Sequence, residues 1–234
     1  MIHTDKATAS VSATFRPRLD ILPPAQRRLW PELDGTPGEF TLYGDTALAL
    51  RLGHRQSVDF DWFTSASFAP DALMQRVPYL RGAMVRQSAP DTLSVTVDRG
   101  GPVQLSFFGG LDLGQVAPAD IAMGPGIKVG SLIDLAGLKV AVVTQRAESR
   151  DYIDVHALLT KANIPLADML AAAAIIYGAQ FNPLLSLKAL AYFEDLALTE
   201  FPAAARQDLV TAVTATDLLS LPALGAVRPR ALRP

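Results

Sequence analysis

Apolar and polar side chains alternate along residues 58–63, where Val58, Phe60 and Trp62 interleave with Asp59 and Asp61. A period of two predicts a strand with one face for a core and the other carrying two aspartates. Residues 92–98 and 103–108 also read as strands, and the Asp98-Arg-Gly-Gly101 step between them predicts a hairpin. Short apolar runs at 40–43, ending at Gly44, and at 127–129 predict two more strands. Helical spacing is predicted over 21–33, with Pro23 and Pro24 near its first turn, and over 46–52, closed by Gly53. A further helix is predicted within 67–79. From Ser131 onward the pattern becomes helical throughout. Ser131 with Asp134 marks a start, and the helix runs to about residue 145. A second helix or a continuation reaches Lys161, with others at 165–177, 182–197 and 202–219. Residues 1–19 read as an arm or a loosely attached strand, and the proline-rich 221–234 as a mobile tail. The expected class is therefore α+β, with residues 1–130 as a mixed domain and 131–234 as a helical one.

Composition narrows the function. A chain of 234 residues, 50% hydrophobic and 19% charged, is globular and long enough for a substantial core. The net charge of -2 gives no overall basic field for nucleic acid. Absence of cysteine removes disulfides, thiolate metal sites and a thiol nucleophile. The N-terminus lacks an apolar signal-type core, and the apolar run at 171–176 is too short to span a bilayer. We expect a cytoplasmic protein without a membrane partner.

Two clusters carry candidate chemistry. Along an extended 55–61, Arg55, Ser57, Asp59 and Asp61 share one face. Two carboxylates there repel unless a cation lies between them, and their hard oxygens suit Mg²⁺ shared with substrate phosphates. Upstream, Gly44 opens a helix whose unpaired amides attract phosphate, and Thr46 either caps that helix or meets the ligand. Taken alone, each motif is more often a turn or a solvated strand face. In the second cluster Lys139, Arg146 and Arg150 stand seven and four apart, a stripe if the helix is continuous. Asp154 is one further step on, placed to pair with Arg150, and Asp151 points to the flank. Such a stripe neutralises phosphates, or it is simply a solvated face.

Residues 42–63, LYGDTALALRLGHRQSVDFDWF, resemble the first motif of the AbiEii/AbiGii toxin family of nucleotidyltransferase-like proteins. That family's pattern is Gly-Gly-Thr-Ala-Leu-Ala-Leu, a Gly-His-Arg turn and Ser-x-Asp-Phe-Asp-Phe. The Lys139, Arg146, Arg150-Asp-x-x-Asp154 series resembles its second motif, and LKALAYFEDL at 187–196 a third segment. The resemblance covers roughly residues 20–197. It implies a nucleotidyltransferase-like mixed sheet with helices, followed by a helical domain. It further implies a nucleoside triphosphate with Mg²⁺ on Asp59 and Asp61. Gly44, Asp45, Thr46, Arg55 and Ser57 would form the nucleotide site, with Lys139, Arg146 and Arg150 closing over phosphates or acceptor. Asp151 and Asp154 would support them. RNA or tRNA as acceptor, a toxin role and a cognate antitoxin are implied in the same way.

Two positions depart from the pattern. Asp45 replaces the loop's second glycine, and it either repels phosphate or caps the helix. Ser106, on the strand at 103–108, stands where a third carboxylate is expected as general base, which leaves a two-metal site in doubt. The alternative expectation is thus a degenerate nucleotidyltransferase fold that binds nucleotide or protein without catalysis. His54 and His156 read as structural, and His3 carries no signal.

Overall fold

The computed structural model describes residues 12–194, 198 and 201–228. His3, the first part of the arm, Asp195 and Leu196 of the third segment and the tail beyond 228 lie outside the described residues. Eight strands form one mixed sheet. They are β1 (Thr14–Phe15), β2 (Thr41–Tyr43), β3 (Asp59–Phe63), β4 (Met84–Ala89), β5 (Thr92–Asp98), β6 (Pro102–Phe108), β7 (Asp120–Ala122) and β8 (Lys128–Val129). Their order across the sheet is β1-β7-β8-β2-β3-β6-β5-β4. Helices α1 (Pro24–Leu29), α2 (Gly44–Leu52) and α3 (Pro70–Arg76) are interspersed among them. The rest of the chain is helical: α4 (Leu132–Val142), α5 (Ser149–Thr160), α6 (Leu166–Tyr177), α7 (Pro183–Ala191) and α8 (Ala203–Ala215).

The alternation holds within β3 for Phe60 and Trp62 but not for Val58, which lies before the strand and is 61% exposed. Phe60 and Trp62 are fully buried, and the Trp62 ring stacks on Phe107 at 6.2 Å. Burying each such ring is worth roughly 1.5–3 kcal/mol, which fixes the register of β3 because a one-residue slip would bury the aspartates instead. β3 runs antiparallel to β2 and parallel to β6, pairing Tyr43 with Asp61 and Asp61 with Ser106. The hairpin between β5 and β6 forms at the expected turn, where the Asp98 carboxylate accepts from the Gly101 amide. Gly53 ends α2 in the left-handed region, as expected. Ser131 caps α4 by accepting from the Asp134 amide.

Four expectations need correction. The helix from Ser131 stops at Val142, and a turn over 143–148 separates it from α5, so Lys139, Arg146 and Arg150 do not lie on one helix. Strand β4 was not foreseen, because Met84-Val-Arg-Gln-Ser-Ala89 is exposed at every position and shows no apolar face. α7 ends at Ala191 rather than near 197, and its C-cap Tyr192 is extended. The segment 221–228 is anchored at its end, where Arg228 bridges to Gln115 in antiparallel fashion. Among the described residues no helix is long and apolar enough to cross a membrane.

Candidate active site

β2 ends at Tyr43, and the chain turns into α2 at Gly44, whose φ is +72°. A Cβ at this position would lie 2.7 Å from Asp61 Oδ2, so only glycine lets the loop approach the carboxylate. Thr46, in the first turn of α2, faces β3 rather than the open side. Its hydroxyl is within 2.7 Å of Ser57 Oγ and also reaches the Asp59 carbonyl. Thr46 and Ser57 are buried at 1% and 4% exposure. They fasten the glycine loop to the start of β3 and do not present hydroxyls to a ligand.

Asp59 and Asp61 are half-buried on the outer face of β3. Among the described residues neither forms an ion pair; Asp59 has only a long 3.5 Å contact from Ser57 Oγ. Burial, with the charges of Asp59 and Asp45 beside it, pushes the Asp61 carboxyl up to about 7. Lys139 and Arg146 oppose that rise without cancelling it. The pair is therefore short of positive charge. Oxygen donors in that condition fit a hard divalent cation.

Around them the cations are already engaged. Lys139, brought in by α4 and 5% exposed, lies 2.6 Å from Asp154 Oδ2 and 3.2 Å from Asp151 Oδ1, and it also contacts Asp45. Burial alone would lower its pKa, but the carboxylates raise it above the ordinary lysine value. Arg55 grips Asp154 with two bonds of 2.6 and 2.8 Å and reaches Asp45 at 2.8 Å. His54 Nε2 lies 2.6 Å from Asp154 Oδ1, in the structural role expected of it. Burial would raise the Asp154 carboxyl, but His54, Arg55 and Lys139 together hold it well below the usual range. Asp45 behaves alike: burial lifts it, Lys139 and Arg55 outweigh that, and it stays ionised. Asp45, Asp151 and Asp154 lie close enough together for a metal ion, with ligand atoms within 4.8 Å of one another. The Lys139 ammonium already fills that role.

Several sequence readings change accordingly. Asp154 does not pair with Arg150, because α5 turns it inward to Lys139, Arg55 and His54. Asp151 is not on the flank but fully buried, accepting from Arg146 at 2.8 Å. Arg150 stays at the rim, 2.7 Å from Glu148 and 3.8 Å from Asp45. Asp45 does not cap α2, since Tyr43 occupies the cap position and no side chain bonds there. Ser106 sits directly across from Asp61 and receives a 3.2 Å hydrogen bond from Ser94. His156 makes a separate pair with Asp208.

Between β3 and the helices lies a cleft of about 190 Å³. Gly44, Asp45 and Asp61 form one side, and Lys139, Arg146 and Tyr177 the other. Phe63 also lines it and was not singled out from the sequence, although its place two residues after Asp61 was a usable signal. Tyr177 gave no such signal, because it arrives from α6, far along the chain.

The mixed sheet, the glycine loop over an acid pair and the facing cations define a nucleotidyltransferase-like fold. The family model "Nucleotidyl transferase AbiEii toxin, Type IV TA system" matches residues 28–226, and the chain belongs to that family of toxin nucleotidyltransferases. An uncharacterized protein of Aquifex aeolicus (strain VF5), aq_aa25, is 28% identical over 164 residues, spanning 69% of this chain and 77% of the relative. Among solved structures, MenT4, the nucleotidyltransferase toxin Rv2826c of Mycobacterium tuberculosis H37Rv, superposes with a TM-score of 0.55 at 17% identity, covering 83% of each chain. A candidate nucleotidyltransferase from H. pylori superposes with a TM-score of 0.52 at 16% identity, covering 81% of this chain and 90% of that one. At these identities the two structures bear on the fold alone.

Proposed function

We propose that the protein transfers a nucleotidyl group from a nucleoside triphosphate to a hydroxyl acceptor, with RNA or tRNA as acceptor class, as the toxin of a pair with a cognate antitoxin. The observation that carries this reading is the Asp59–Asp61 pair. It lacks a cation of its own among the described residues, and its Asp61 is pressed against the Gly44 backbone and opens on a cleft bounded by Lys139 and Arg146.

Asp59 and Asp61 would hold Mg²⁺, which supplies charge neutralisation for the triphosphate. Gly44 admits the phosphates to the backbone amides at the start of α2. Arg146 and Arg150, the cations nearest the rim, meet the remaining phosphate charge, while Lys139 holds Asp45 away from it. The acceptor oxygen attacks the α-phosphorus in line, forming one P–O bond as the bond to the β-phosphate oxygen breaks. Pyrophosphate leaves with that electron pair, and the acceptor proton passes to solvent. No side-chain base of this chain is assigned to the proton, because Ser106 faces Asp61 where a carboxylate would serve.

That same serine favours a second reading, a fold that binds nucleotide without transfer. Incubation with labelled triphosphates, Mg²⁺ and total RNA separates the two. Transfer should label RNA and vanish in Asp59→Ala. Nucleotide binding without transfer would support the second reading, and binding of neither metal nor nucleotide would remove both.

A further inference from the structure

The third family-like segment, 187–196, has no part in the acid cleft, yet its described residues divide sharply. Leu187 and Leu190 are buried, and Phe193 stacks on Phe201 at 5.9 Å and tilts against Tyr152 at 5.8 Å. These positions build the helical core. Lys188 on α7 and Tyr192 just past its end are exposed instead. Tyr192 is 51% exposed, and Lys188 forms no ion pair or hydrogen bond among the described residues.

Both line an open hollow of about 350 Å³ whose other walls include Thr144, Gln145, Arg146 and Tyr152. Among the described residues no carboxylate lines it, although acids crowd the neighbouring cluster. Arg146 lines this hollow and the acid cleft alike, so the two adjoin across one guanidinium.

We propose that this hollow seats the end of a single-stranded polynucleotide acceptor, with a base stacked on Tyr192 and the adjoining phosphate on Lys188. The proposal rests on the nucleotidyl-transfer reading of the acid cleft and adds where the acceptor lies. Three features fit that occupant. An exposed ring offers a stacking platform that any base can use. An ammonium with no carboxylate partner among the described residues complements a backbone phosphate. Adjacency across Arg146 places a terminal hydroxyl seated in the hollow beside the cleft that Asp61 lines. A folded protein partner would need a far larger surface than this hollow supplies.

The test uses fluorescein-labelled single-stranded RNA with a free 3′ end, read by anisotropy at several salt concentrations, alongside a separate titration with Mg²⁺ and a fluorescent ATP analogue. Tyr192→Ala should weaken RNA binding about tenfold, and Tyr192→Phe should retain it, since the ring is what stacks. Lys188→Ala should lower the slope of log affinity against log salt by about 0.7, one phosphate contact on a single strand. Nucleotide binding should be the same in all three variants. A wild-type protein that ignores the RNA, a Tyr192→Ala protein that binds it as well as wild type, or an equal loss in Tyr192→Phe would each overturn the proposal. Failure of the nucleotide titration in the wild-type protein would instead refute the acid-cleft reading, leaving the RNA arm to judge the hollow by itself.

Discussion

Replacing Lys139 by methionine removes one ammonium from among three carboxylates while keeping an apolar stem of similar length. Taking one partner from a buried ion pair costs about 3–5 kcal/mol, because the abandoned charge stays desolvated. Here each acid keeps another cation: Asp45 and Asp154 retain Arg55, and Asp151 retains Arg146. The loss should fall at the lower end, about 3 kcal/mol. For a chain of this size that is about 6–12 °C in melting temperature. Calorimetry at pH 7 checks the size, and a pH series checks the cause. Asp154 is held below its ordinary value, so its contribution is present above the normal carboxylate range and is lost as pH falls. Lys139 is raised, so its contribution persists at neutral pH and fades only in strong alkali. The gap between wild type and Lys139→Met should thus be full at pH 7 and begin to narrow only below the ordinary carboxylate range. A drop below about 2 °C, or a gap indifferent to pH, would refute the idea that Lys139 acts as the fixed counter-ion of this cluster.

Three further outcomes follow from the acid pair. Gly44→Ala should abolish Mg²⁺-nucleotide binding in a titration and lower stability by about 1–3 kcal/mol, since the added carbon meets both a positive φ and the Asp61 carboxylate. Asp61→Asn should raise the melting temperature of the metal-free protein at pH 8, because it removes a carboxylate held among like charges, and it should erase stabilisation by Mg²⁺. Ser106→Asp should tighten divalent-cation binding and speed nucleotidyl transfer at least about tenfold by supplying a proton acceptor beside Asp61. An unchanged rate there would show that the acceptor lies elsewhere.

What the chain reveals before folding is what is local. The alternation from Asp59 to Phe63, the Gly44 and Gly53 boundaries, the β5–β6 turn and the Ser131 cap all rest on neighbours in sequence, and each is found in place. The acid pair was legible for the same reason, since the pleat puts Asp59 and Asp61 on one side whatever surrounds them. The break after Val142 was not legible. It is held by contacts across it, Arg146 to Asp151 and Lys139 to Asp154, and helical spacing alone cannot register them. The partners of Asp154 show the limit plainly: His54 and Arg55 lie about a hundred positions upstream, where no periodicity connects them. β4 escaped notice because an edge strand exposed on both faces carries no alternation to detect.

The hundred-residue reach of those contacts sets an order of events during synthesis. A nascent chain grown only as far as β8 already carries the glycine loop, Asp59 and Asp61, but neither Lys139 nor Asp154 to hold Asp45 and Arg55. The pocket gains its braces only when α5 emerges from the ribosome, so a partly made chain has the parts of a toxin before it has a working shape.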